Sequence, residues 1–203
     1  MLDRIMRRWL RHPLPSPLLN LLLMLRWHCR IHPWARIEHP LRLRLGKGVH
    51  IGRCKLLCRG PGAVVISLGA GAVMHDGVIL DALDGFIHVG ERTTLNPYCV
   101  LYGTGGLRIG NDCGIATQTV LVAANHTFDR TDVPIMAQPL STAGIEVGDD
   151  VWLGAGCRVL DGTRLARGCV VAAGAVVTTS FPEGSVVAGV PARLIKTRSG
   201  FGT

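Results

Sequence analysis

Aliphatic side chains recur every six residues along most of this chain. Val147, Leu153, Val159, Leu165, Val171 and Val177 form one run, Ile109, Ile115 and Leu121 a second, and Val89, Leu95 and Leu101 a third. Glycine takes the second place of several hexads, at Gly52, Gly69, Gly90, Gly110, Gly148 and Gly154. A short fixed period marks a solenoid, and a hexapeptide period marks a parallel β-helix. Three hexads close one triangular coil. The first place of each hexad points inward, the fifth holds small interior residues such as Thr93, Thr119, Thr163 and Ala175, and the sixth points outward. Aliphatic–glycine pairs open coils near Ile51, Leu68, Val89, Ile109 and Val147. The steps between the first four are 17, 21 and 20 residues against 18 for three hexads, so the longer steps hold small bulges at corners.

The run breaks just past Asn125-His126 and resumes at Val147. The intervening stretch contains Pro134 and Pro139, which cannot donate to a strand ladder, so it must leave the coil as a loop. His126 takes the outward sixth place of the hexad opening at Leu121, and Asn125 the small interior fifth place. The predicted organisation is a basic, Leu-rich leader over 1–48, a solenoid over 49–182 with an extended loop at 127–146, and a short tail over 183–203. The fold class is an all-β solenoid with a helical leader.

Charge changes the picture only at the N-terminus. The chain carries a net charge of +8, and residues 1–50 account for all of it: ten Lys/Arg face only Asp3 and Glu38. A basic leader can meet phosphate on nucleic acid, anionic lipid or a lipid-linked sugar. No nucleic-acid motif accompanies it, which favours lipid. Ser16-Pro17 can start a helix that runs through Leu18-Leu19-Asn20-Leu21-Leu22-Leu23-Met24-Leu25 to Arg26 and Trp27. The apolar run is far below the roughly 20 residues of a spanning helix. Two readings stay open: an interfacial helix on an anionic membrane surface, and a cap over the open end of the solenoid.

Seven cysteines form no CxxC pair, and Cys99, Cys113, Cys157 and Cys169 all fall on the fifth place of a hexad. They read as small, reduced interior fillers, without disulfide or zinc site. A reducing compartment, the cytoplasm, follows as the expected location, with a peripheral place on the inner membrane face if the leader binds lipid.

A histidine placed where a solenoid breaks is a candidate base, because imidazole titrates near neutral pH. The bland alternative is a turn histidine bonded to a carbonyl. The hexads, the Asn-His at the loop's start and the Gly189-Val190-Pro191-Ala192-Arg193 tail together resemble the hexapeptide-repeat acyltransferases, closest to galactoside and maltose O-acetyltransferases and the sugar O-acetyltransferases of polysaccharide synthesis. The resemblance is dense over 89–198 and loose over 51–88. It implies a left-handed β-helix, a homotrimer, acetyl-CoA as co-substrate and no metal. It implies His126, seventeen residues after Ile109, as catalytic, and Asn96, thirty residues before it, as the substrate-positioning asparagine. It places Trp152, Ala155, Ala173 and Thr178 against coenzyme A, and Arg193 and Lys196 near its phosphates. Thr179 stands where the galactoside enzymes often carry lysine, which removes one phosphate contact. Their sugar-contacting N-terminal residues have no match here, so their acceptors are not implied. Asn96 or a backbone amide would serve as oxyanion donor. Trp152 reads equally as trimer packing.

The resulting expectation is an O-acetyltransferase acting on a sugar hydroxyl of a cell-surface polysaccharide or lipid-linked precursor, with His126 as general base. Alternatives are a small soluble sugar, amino sugar or drug as acceptor, and a non-catalytic β-helix scaffold. A carbonic anhydrase of the same fold needs three histidines on zinc, and His126 has no other histidine within thirty residues.

Overall fold

A computed structural model describes residues 16–201 of the protein. It is a parallel β-solenoid of the kind expected for a left-handed β-helix. Short strands stack coil on coil into three parallel sheets, and each interior position sits on its counterpart in the next coil. In the first sheet the inward column is Ile31, Ile51, Met74, Leu95, Ile115, Leu153, Val171 and Val187. In the second it is Ile37, Leu56, Leu80, Leu101, Leu121, Val159 and Val177. In the third it is Leu45, Leu68, Val89, Ile109, Val147 and Leu165. All are buried, at roughly 1.5–3 kcal/mol each. The three columns form the single core.

Inward first and fifth places and outward sixth places hold along the regular coils. Thr93, Thr119 and Thr163 are buried, and each hydroxyl donates to a backbone carbonyl at 2.7–3.1 Å. All seven cysteines are free and buried. Burial pushes the Cys54 and Cys58 thiols up to about 12 and those of Cys29 and Cys99 up to about 11, which makes them poor nucleophiles.

Three expectations need correction. Ile51-Gly52 does not open a coil in step with the other pairs. Ile51 belongs to the first sheet, whereas Leu68, Val89, Ile109 and Val147 end strands of the third. The true counterpart is Leu45-Gly46. The solenoid also begins before residue 49, because Arg30–Ile31, Arg36–Glu38 and Leu43–Leu45 already form a complete first coil. At the other end, Ser185–Ala188 still pairs in parallel with Val170-Val171, so the solenoid extends past 182. The tail proper is Arg193–Thr197, which folds back antiparallel on that last strand.

The leader helix runs over Ser16–Trp27. It covers the open end of the first coil: Leu19 and Leu23 are buried in the core. Asn20 is fully buried, and its Nδ2 lies 3.0 Å from the carbonyls of His32, Pro33 and Ala35. Among the described residues no further coil covers these carbonyls; the His32 carbonyl also accepts from the Ala35 amide at 2.9 Å, and the asparagine amide supplies donors to the others that water would otherwise have to provide. The rest of the leader, with Arg4, Arg7, Arg8 and Arg11, lies outside the described residues. Among those described, no helix is long and apolar enough to cross a membrane.

Candidate active site

After the strand Val120–Val122 the chain makes one more inward placement, at the fully buried Ala123, and then leaves the coil. Asn125 is exposed, which corrects its expected interior place: the coil is already abandoned at the fifth position. Asn125–His126 pairs antiparallel with Leu140–Ser141, so the two ends of the loop form a short ribbon projecting from the solenoid. Thr127 clamps the ribbon, its amide and hydroxyl donating to the Pro139 carbonyl at 3.0 and 2.8 Å. Gln138 is buried within the loop and bonds both the amide and the carbonyl of Arg130. The loop's return is held by Asp161, which accepts from the amides of Ala143 and Gly144 at 2.9 and 2.7 Å and from the Ser141 hydroxyl at 3.1 Å. The third sheet resumes at Ile145–Val147, so the last residues of the predicted 127–146 loop belong to a strand. Sequence reasoning missed Asp161. Its signal was an Asp-Gly corner one coil beyond the break.

His126 is half-buried at the root of this ribbon. Its Nδ1 is buried without a hydrogen-bond partner, which leaves Nε2 as the ring nitrogen open to a reactant. Asp129 is exposed and does not orient the ring. Asn96 is half-buried, and its Nδ2 donates to the Ile115 carbonyl at 3.0 Å. One of its two amide hydrogens is thus used and the other remains for a reacting oxygen.

The remaining predicted residues sort by corner. Asn96, Ala155 and Ala173 lie on the corner leading from the first sheet to the second, between Leu95 and Val100, Leu153 and Arg158, and Val171 and Val176 respectively. Ala155 and Ala173 are on consecutive coils and exposed, with the Gly174 amide donating to the Ala155 carbonyl at 2.9 Å. Trp152 stands beside this corner on the outer face of the first sheet and is 59% exposed. Arg193 pairs opposite Ala188, close to the same corner at the solenoid's end, and Lys196 lies further along that strand, both exposed. His126 and Thr178 lie at the other edge of the second sheet, where it turns toward the third. One chain therefore does not bring His126 together with Asn96 or the small-residue corner.

A cavity of about 360 Å³ sits under the loop's return, lined by Phe86, Gly105, Arg108, Glu146 and Arg164 among others. None of the predicted site residues lines it. The Arg108 guanidinium lies 4.4 Å from the Phe86 ring centre and its Nη1 3.0 Å from His88 Nδ1. Burial, and secondarily that guanidinium, lowers the His88 pKa. Among the described residues no group of three or more His, Cys, Asp or Glu is placed to hold a metal ion.

Residues 144–179 match the family described as bacterial transferase hexapeptide (six repeats). A protein named for lipopolysaccharide biosynthesis O-acetyl transfer, WbbJ of Escherichia coli (strain K12), is 34% identical over 139 residues, covering 64% of this chain and 71% of that one. A protein named as an acetyltransferase, Rv3034c of Mycobacterium tuberculosis, is 29% identical over 154 residues, covering 76% of this chain but only 49% of its own length. Among solved structures, a point mutant of AntD, an N-acyltransferase from Bacillus cereus in complex with dTDP and coenzyme A, superposes with a TM-score of 0.65 at 24% identity, over 77% of this chain and 84% of that one. This last likeness bears on the fold. With the hexapeptide match and 34% identity over 71% of the Escherichia coli relative, the chain belongs to the hexapeptide-repeat acyltransferase family.

Proposed function

We propose that the protein transfers an acetyl group from acetyl-CoA to a sugar hydroxyl of a cell-surface polysaccharide or its lipid-linked precursor. The observation that carries this reading is His126: an imidazole at the root of the projecting ribbon, with Nε2 open and Nδ1 buried. The name of the Escherichia coli relative supports an O-linked sugar acceptor, and AntD, of the same fold, holds coenzyme A and dTDP.

The residues fit a coenzyme A arm. Ala155 and Ala173 leave a shallow, small-residue corner, Trp152 offers an aromatic wall beside it, and Arg193 and Lys196 add positive charge near its end for phosphates. Thr178 adds a hydroxyl at the opposite edge. Acetyl-CoA supplies the activated acyl group. His126 Nε2 takes the proton from the acceptor hydroxyl as the new ester bond forms and the thioester C–S bond breaks, and it hands that proton to the departing coenzyme A thiolate. The spare Nδ2 hydrogen of Asn96 meets the carbonyl oxygen on which charge develops.

The two halves of this site lie on opposite edges of the second sheet. From the third coil onward the outer face of that sheet is largely apolar, with Ile79, Val100, Val120, Val122, Leu160 and Val176, whereas its first two strands turn Arg36, Glu38 and Lys55 outward. Arg158 on the same face folds back onto the carbonyls of Gln118 and Cys157 at 3.3 and 3.2 Å. The outer face of the third sheet is instead charged, with Arg44, Arg108, Glu146 and Arg164. A homotrimer that turns its second sheets toward the three-fold axis buries the apolar face. It also sets the His126 edge of one subunit against the Asn96 edge of the next, which completes the site.

The test is a transfer assay with purified protein, acetyl-CoA and a panel of oligosaccharide acceptors, read as free thiol release and as ester formation by mass spectrometry. The expected result is acceptor-dependent release of coenzyme A with a gain of about 42 Da on the sugar, the mass of one acetyl replacing one hydrogen. Thiol release without any acceptor, or acylation of amines alone, would refute the O-acetyl reading.

A further inference from the structure

The capping helix has a second face. Leu19, Asn20 and Leu23 turn inward, while Leu18, Leu21 and Leu25 are 44, 47 and 63% exposed. Their spacing of three and four residues sets them in one stripe along the helix. The stripe contains no polar side chain, and Trp34, on the corner that Asn20 pins, is 68% exposed. A helix on the surface of a water-soluble domain ordinarily turns charged residues outward. Here the outward face is leucine, and the charge surrounds it. Arg30, Arg44 and Lys47 are exposed on the first coil without an ion-pair partner among the described residues, whereas Arg36 is taken up by Glu38 at 2.6 Å. Glu38 is itself the only carboxylate between residues 4 and 75. Four more arginines precede the helix in the sequence.

We propose that this end of the solenoid docks on an anionic membrane surface. Leu18, Leu21 and Leu25 enter the boundary between headgroups and acyl chains, Trp34 sits at headgroup depth, and Arg30, Arg44 and Lys47 meet lipid phosphates. Charge complementarity selects this occupant over a generic apolar partner: an exposed apolar stripe ringed by cations, with almost no carboxylate nearby, matches a negatively charged interface. Cyclic symmetry places three copies of the end at the same height along the axis of a trimer. Three weak contacts then act together, which raises the binding of the assembly well above that of one helix. Docking of this kind goes beyond the acetyl-transfer reading and supplies a reason for the protein to act on a lipid-linked acceptor.

The experiment is co-sedimentation of the full-length protein with vesicles of phosphatidylcholine alone and of phosphatidylcholine with about one-third phosphatidylglycerol, at low and high salt. The wild type is expected to bind the anionic vesicles about 10-fold or more tightly than the neutral ones, and to weaken with salt. The double substitution Leu21→Glu with Leu25→Glu leaves the buried face untouched and is expected to lose about 10-fold or more of that binding with its mass and circular dichroism unchanged. A second variant, Arg30→Gln with Arg44→Gln and Lys47→Gln, is expected to lose the preference for anionic lipid. Wild type that ignores both vesicles, or binds both equally, overturns the proposal, as does undiminished binding by both variants. End-to-end association of trimers, abolished by the leucine substitutions, would assign the face to a second copy instead and also overturn it. Acetyl-CoA binding on the same samples reads the catalytic proposal separately, so one can fail without the other.

Discussion

Replacing His126 with alanine is expected to lower turnover by about 10²-fold or more. The loss should fall on kcat, with little change in the affinity for acetyl-CoA, because the imidazole is proposed to act on the acceptor's proton and not on the coenzyme's binding. The structure makes the control clean. The side chain is half-buried, and its buried Nδ1 makes no hydrogen bond, so its removal breaks no internal bond at that nitrogen. Thermal stability of the variant is expected to match the wild type. Steady-state kinetics beside a calorimetric titration of acetyl-CoA checks both halves. Normal turnover in a folded variant would remove His126 from the mechanism and favour a scaffold reading.

The second large effect concerns the fold. Gly90 follows a third-sheet strand, and a Cβ there would come within 2.4 Å of the carbonyl carbon and oxygen of Gly110 in the next coil. Those atoms are backbone and cannot rotate away, so the coils must separate locally. Gly90→Ala is expected to cost about 3 kcal/mol. Gly156 provides the contrast. It has a positive φ of 67°, but nothing lies within 4 Å of the place a Cβ would take. Gly156→Ala is expected to cost only about 1–2 kcal/mol, from backbone conformation alone. Urea unfolding of both variants separates the two causes. Equal losses would mean that coil spacing tolerates a methyl group at Gly90 and that the glycine column is not set by close approach.

Much of the solenoid was legible in the sequence because its core is one-dimensional. A hexad period places the first and fifth residues inside wherever the period runs unbroken, so Cys99, Cys113, Cys157 and Cys169 could be read as fillers from register alone. Where the corners change length, the period loses its phase. Ile51-Gly52 resembles the later aliphatic–glycine pairs but lies on another sheet, because the neighbouring coils carry corners of unequal size. The first coil escaped notice because two of its corners contain His32-Pro33 and His39-Pro40 in place of glycine. Asn125 shows the opposite limit. Register assigned it to the interior, but the chain had already left the coil after Ala123, and only the antiparallel pairing with Ser141 reveals that.

The candidate site was legible as residues and not as an arrangement. Period counting identified His126 as outward, and the family resemblance supplied Asn96, Trp152 and the small-residue corner. Their division between two edges of the second sheet depends on which face each hexad takes, and that is fixed only once all coils are aligned. Asp161 and Asn20 were missed because each acts on backbone amides or carbonyls of another segment: Asp161 shows in the sequence only as an Asp-Gly corner, and Asn20 lies on the helix, outside any hexad.

Calorimetric titration of acetyl-CoA into the purified protein, with its oligomeric mass measured on the same sample, tests the central claim most directly. Saturable binding at about one site per subunit of a trimer is the predicted result. A folded trimer that does not bind acetyl-CoA would contradict the account.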